Sequence, residues 1–115
     1  MAQTRVVICS SRSLFGEGIA SRLRQHLGAH ELQIVDARQT DALARVIAAR
    51  PSAVILDATD EEVARRCPLS DLLSALPSLT VIRLDPQQKQ VQVVTSEQRA
   101  ANEASDLIDI LNSAA

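Results

Sequence analysis

Few residues in this chain have chemistry to offer. Asp57 closes one apolar run, Asp85 closes another, and Asp60 follows Asp57 by three positions. Carboxylates are the hard oxygen ligands that Mg²⁺ takes. If Asp57 and Asp85 end neighbouring strands, those strands lie about 4.8 Å apart. With Asp60 they would then make a cation site. An acidic dyad with displaced pKa values would be the catalytic version, but no histidine or nucleophile accompanies it, so no enzymatic activity is expected. Three solvated carboxylates at a loop-rich edge is the preferred reading. Asp57 itself is expected to cap the following loop or helix, or to pair with Arg12.

Ser10 and Ser11 follow a third apolar run. At the start of a helix, where backbone N–H groups point outward, they could bind an anion; capping is the plainer expectation. Cys9 and Cys67 lack metal-ligand spacing, so they read as reduced cytosolic thiols. Cys9 should be buried and inert. Cys67, just before Pro68, is expected to be exposed but without an activating base. His26 and His30 are expected on the surface, and Arg22, Arg24, Glu61, Glu62, Arg65 and Arg66 on solvated helix faces. Gly16 and Gly18 do not begin a dinucleotide fingerprint, because position 21 is Ser. No metal and no cofactor is expected.

These residues must be placed by alternating elements. Arg5 to Cys9 is short, apolar and rich in β-branched residues, which reads as a buried strand. Ser13 is a good N-cap, and Phe15, Ile19, Leu23 and Leu27 recur every four residues to make one apolar helix face, stopped at Gly28. Leu32 to Val35 is a second strand. Thr40 is expected to cap a second helix, with Leu43, Val46 and Ile47 on its inner face, ending before Pro51. Ala53 to Leu56 is the third strand, with Asp57 at its end. Asp60 to Arg66 allows one or two helical turns before Pro68. Leu69, Leu72, Leu73 and Leu76 then give a compact amphipathic helix before Pro77. Strands four and five are Thr80 to Leu84 and Val91 to Thr95. Ala104, Leu107, Ile108 and Leu111 form the last helix face.

Such alternation predicts an α/β fold over residues 1–115, a doubly wound, flavodoxin-like, mainly parallel sheet of five strands as one domain. One connection departs from that plan. Only residues 85–90 separate strands four and five, whereas a parallel crossover with its helix takes roughly 10–12 residues or more. Strand five is therefore expected to run antiparallel to strand four, with the intervening helix missing. Val81, Arg83 and Asp85 share one strand face by the period of two. Arg83 is out of place in a doubly covered strand, so that face is expected to be the bare one.

Two segments carry a family likeness. Val7-Ile8-Cys9-Ser10-Ser11-Arg12-Ser13-Leu14-Phe15-Gly16-Glu17-Gly18-Ile19 resembles the opening of response-regulator receiver domains, most closely those with a helix-turn-helix output domain. Arg50-Pro51-Ser52-Ala53-Val54-Ile55-Leu56-Asp57 resembles the same family's segment ending in its phosphoacceptor aspartate, and Pro77 to Leu84 its fourth strand. The likeness covers about residues 5–85. It implies that Asp57 occupies the phosphoacceptor position and Asp85 that of the switch Ser/Thr. Ser10 and Ser11 stand where the family keeps its acidic pair. Neutral hydroxyls do not supply the charge that holds Mg²⁺ for phosphoryl transfer. The fifth-strand lysine has only Ser96 or Ala100 as counterparts. Of the functional positions, only Asp57 matches.

The leading expectation is thus a pseudo-receiver: a phosphorylation-independent regulatory or interaction domain in two-component signalling, binding a protein partner or a second copy of itself. The surface expected to do this comprises Val81, Arg83, Val91, Val93, Leu107 and Leu111, giving a homodimer, with any output domain in a removed part of the gene product or in another chain. Two alternatives are an atypical phosphoacceptor using Asp57 and a small-ligand module at the carboxyl ends of the strands. A net charge of −2 and a single aromatic residue argue against nucleic-acid binding. No apolar stretch approaches the roughly 20 residues that span a bilayer, and the N-terminal run is too short for a signal peptide, so a cytoplasmic protein is expected.

Overall fold

In the computed structural model, residues 5–27, 31–95, 108 and 111–112 are described. The element order is β1 (Arg5–Ser10), α1 (Ser13–Leu27), β2 (Glu31–Asp36), α2 (Ala42–Ala49), β3 (Ala53–Asp57), α3 (Glu61–Arg66), α4 (Leu69–Ala75), β4 (Thr80–Asp85) and β5 (Gln90–Thr95). The sheet has five strands in the order β2-β1-β3-β4-β5. β1 to β4 pair in parallel, and β5 runs antiparallel to β4. The mixed α/β class, the antiparallel fifth strand and the helix-free β4–β5 connection all match the sequence reading. Among the described residues no helix is long and apolar enough to cross a membrane.

Alternation along the parallel strands divides the core in two. On one face Val7, Cys9, Val35, Val54, Leu56 and Val81 pack beneath α2, α3 and α4 through Val46, Val63 and Leu72. On the other, Val6, Ile8 and Ile55 pack with Ala20, Phe15, Ile19 and Leu23 of α1. Central strands covered on both faces must be continuously apolar, which is why Val6 to Cys9 and Val54 to Leu56 contain no polar side chain. Gly16 lets α1 approach the sheet closely: a Cβ there would lie 3.2 Å from Ile34 Cγ2.

Helix boundaries differ from expectation at two places. The N-cap of α2 is Asp41, with no side-chain cap bond, and Thr40 lies outside the helix. The Asp41 carboxylate instead takes the guanidinium of Arg45 one turn on. The first intrahelical bond of α1 is accepted by the Arg12 carbonyl from Gly16 N–H, so Ser13 is already the first helical residue. α2 ends on Arg50 in the left-handed region, at φ 47°. Pro51 follows and cannot continue the helix. The expected helix stop at Gly28 lies outside the described residues.

The bare face is not the one expected. Val81 is fully buried in the cluster that holds Leu72 of α4, and its antiparallel neighbour Val94 is partly buried against the same cluster. Val91 and Val93 are 62% and 60% exposed and lie opposite Leu84 and Ile82, on the α1 side of the sheet. The cause is connectivity. Two helices, α3 and α4, fill the β3–β4 connection and bring Val63 and Leu72 into the buried cluster that holds Val81, whereas on the other face the cluster under α1 takes in Ile55, Ile82 and Leu84.

Candidate functional site

The carboxyl ends of β1 and β3 meet at one corner of the sheet. Asp57 is the last residue of β3, and its side chain is fully buried. Its Oδ1 accepts from Thr59 N–H at 2.9 Å and from Thr59 Oγ1 at 2.7 Å. Its Oδ2 is paired with the guanidinium Nη2 of Arg12, from the loop between β1 and α1. The loop after β3 is pinned as well, since Ala58 N–H donates to the Leu84 carbonyl at 2.7 Å. A carboxylate removed from water needs such partners, because an uncompensated buried charge costs several kcal/mol, on the order of 3–5. The Arg12 pairing is one of the two roles read for Asp57 from sequence.

Asp60 completes the corner, and sequence reasoning missed its role. It is the N-cap of α3, its Oδ1 accepting from Glu62 N–H and Val63 N–H at 3.1 and 3.3 Å. The same carboxylate accepts from Ser11 N–H and Ser11 Oγ, each at 2.8 Å. Burial pushes the Asp60 pKa up, but the donors from Ser11, Val63 and Glu62 together outweigh it, and the net direction is downward. The signal was legible: Asp followed by Glu61-Glu62 and then basic Arg65-Arg66 is an N-terminal cap with charges matched to the helix dipole.

Ser10 and Ser11 do not cap α1. Ser10 Oγ accepts from Arg12 N–H and donates to the Arg12 carbonyl, closing a small turn that aims Arg12 at Asp57. Ser11 ties β1 to α3 through Asp60. Asp85 does not join them. It lies opposite Gln90, one register step beyond the Asp57–Leu84 pair, so its side chain falls on the other face. It accepts from Gln87 N–H and Gln88 N–H at 3.1 Å and shapes the hairpin turn. The three carboxylates therefore do not converge on a cation site. Among the described residues no group of three or more His, Cys, Asp or Glu is placed to hold a metal ion.

Beside this corner lies an open depression of about 580 Å³ lined by Ser11, Arg12, Leu14, Phe15, Arg38 and Pro86. Both arginines already face carboxylates, Arg12 that of Asp57 and Arg38 that of Asp36 at 2.9 Å. The depression thus offers an anion little free positive charge.

The remaining sequence candidates are dispersed. Cys67 is buried, not exposed, with its sulfur 3.5 Å from that of Cys9. Arg83 is half-buried on the far strand and donates to Gln92 Oε1 at 2.8 Å across the hairpin. Leu111 is exposed. His26 is exposed on α1. Leu107, His30, Ser96 and Ala100 lie outside the described residues. Comparison with family models, with curated proteins and with solved structures gave no match.

Proposed function

We propose that this chain is a phosphorylation-independent interaction domain resembling a response-regulator receiver, and that it associates with a second copy of itself. The observation that carries the reading is the closure of Asp57. Both of its oxygens are engaged, one by Thr59 and one by the Arg12 guanidinium. An in-line attack on a phosphodonor needs a free carboxylate oxygen and a counter-charge for the transferring group. The residues here do not fit a resident Mg²⁺. Ser10 and Ser11 bring no charge, and Asp60 is committed to Ser11 and to the end of α3. The positive charge beside Asp57 is a fixed side chain, built into the resting structure.

Support for self-association comes from β5. Among the described residues it pairs only with β4, which leaves an edge whose backbone groups offer a template for another strand. Val91 and Val93 make that edge apolar on one side. Edge strands of this kind are ordinarily blunted by charge or proline, and Gln90 to Thr95 contains neither.

Two measurements test the reading. The chain is incubated with a small phosphodonor and Mg²⁺ and its intact mass recorded; no added phosphate is expected. A gain of one phosphate that disappears in Asp57→Asn would make Asp57 a working phosphoacceptor and defeat the proposal. Light scattering across a concentration series is expected to give the dimer mass, and a monomer at the highest concentration would remove the self-association.

A further inference from the structure

The sulfurs of Cys9 and Cys67 are 3.5 Å apart, across 58 residues of chain, and both are buried. Cys9 sits near the end of β1, one residue before Ser10, and Cys67 is the C-cap of α3. Formation of a disulfide at about 2.05 Å takes roughly 1.5 Å of closure. Side-chain rotation at Cys67 is the natural source of that movement, because Cys67 lies outside regular structure at φ −126° and ψ 65°, whereas Cys9 is locked in a central strand.

The pair also has an internal division of labour. The hydrogen bond between the sulfurs holds the Cys67 thiol below its ordinary pKa against the opposing effect of burial, since Cys9 donates to the thiolate. The same bond, reinforced by burial, drives the Cys9 thiol upward. The contact therefore favours a thiolate on Cys67 over one on Cys9. Arg66 and Pro68, both half-buried, flank Cys67, whereas buried Ile8 and Ser10 flank Cys9. The thiolate is the nucleophile in such a pair.

We propose that Cys9 and Cys67 form a reversible dithiol–disulfide site whose oxidant is a small hydroperoxide. The Cys67 thiolate attacks the peroxide oxygen, breaking the O–O bond to give a sulfenic acid; the departing hydroxide takes the proton and leaves as water. The Cys9 sulfur then attacks the sulfenic sulfur. Its proton leaves with the hydroxyl as a second water, and the S–S bond forms. Two thiols and one hydrogen peroxide become one disulfide and two waters, the two sulfurs being oxidised and the peroxide oxygens reduced. A small oxidant suits a site buried among Val63, Leu72 and Val54 better than a bulky disulfide does. Closure fastens α3 to β1 at its C-terminal end. Asp60 already fastens its N-terminal end through Ser11, so the oxidised chain ties α3 to β1 at both ends of the helix.

The test uses the reduced full chain, treated with hydrogen peroxide, denatured in N-ethylmaleimide and weighed intact. The expected product has lost two hydrogens, carries no maleimide and keeps the single-chain mass, and dithiothreitol restores two maleimide adducts. Proteolysis is expected to yield a linked Cys9–Cys67 peptide from the unmutated chain, a readout that needs no variant to fold. Cys67→Ala is expected to leave Cys9 unoxidised at peroxide doses that fully close the parent. Two maleimide adducts after treatment, a sulfinic acid on either residue, or disulfide-linked dimers would each overturn the proposal.

Discussion

The corner at Asp57 and the flank at β5 lie in one sheet and are finished in opposite ways. At the corner every polar atom of Asp57 and Asp60 has a partner, and Arg12, Ser11 and Thr59 are held by the groups they hold. At the flank, Val91 and Val93 stand largely exposed although their neighbours Ile82 and Leu84 join the core. Polar side chains there, such as Arg83 and Gln92, make only an exposed cross-strand bond. The contrast teaches where a fold has spent its specificity. The corner at the carboxyl ends of β1 and β3 is closed by its own side chains, and the flank at β5 is open.

Substitutions at matched positions would break or sharpen that contrast. The largest difference is expected between two arginines. Arg12→Ala strands a buried carboxylate and should cost about 2 kcal/mol in urea unfolding, less than a fully buried pair because the Arg12 side chain is 56% exposed. Arg83→Ala should cost under about 0.5 kcal/mol. Equal losses would mean that the corner is no more committed than the flank.

Next is Asp60, where loss of the cap in Asp60→Ala should cost about 1–1.5 kcal/mol, while Asp60→Asn retains most of the capping. Because the folded pKa of Asp60 lies below its unfolded value, its charge-dependent stabilisation is present above about pH 4 and disappears as pH falls through the lower folded value. The parent should therefore lose stability more steeply than Asp60→Asn below pH 4, and parallel acid titrations would refute the assignment.

Smaller again is the pair of glycines in α1. A Cβ at Gly18 meets nothing within 4 Å, so Gly18→Ala should raise stability by about 0.5–1 kcal/mol in thermal melts. Gly16→Ala should forfeit that gain against Ile34. The smallest effect on folding is expected at the open flank itself. Val93→Asp should change stability by no more than about 0.5 kcal/mol yet abolish the proposed self-association in light scattering. A large loss of stability would show that the flank is covered within its own chain.

Much of this architecture is legible along the chain. The continuous apolar runs at 6–9 and 54–56 require strands covered on both faces, and the six residues 85–90 between the fourth and fifth apolar runs leave no room for a crossover helix. The Arg12–Asp57 pairing was one of the two roles read for Asp57; Arg12 follows β1 and Asp57 ends β3, and these strands are neighbours in the sheet. Asp60 was readable as a cap but not as the partner of Ser11, because capping is local and that contact spans 49 residues.

Period-two alternation determines that Val81 shares a face with Arg83 and that Val91 shares one with Val93. It does not determine which face a helix will cover. Only the tertiary arrangement decided that Val81 is buried in the cluster with Leu72 and that Val91 and Val93 stay open, because coverage depends on where neighbouring connections cross the sheet. For the same reason spacing could not bring Cys67 to Cys9: two sulfurs 58 residues apart meet only once α3 is laid against β1.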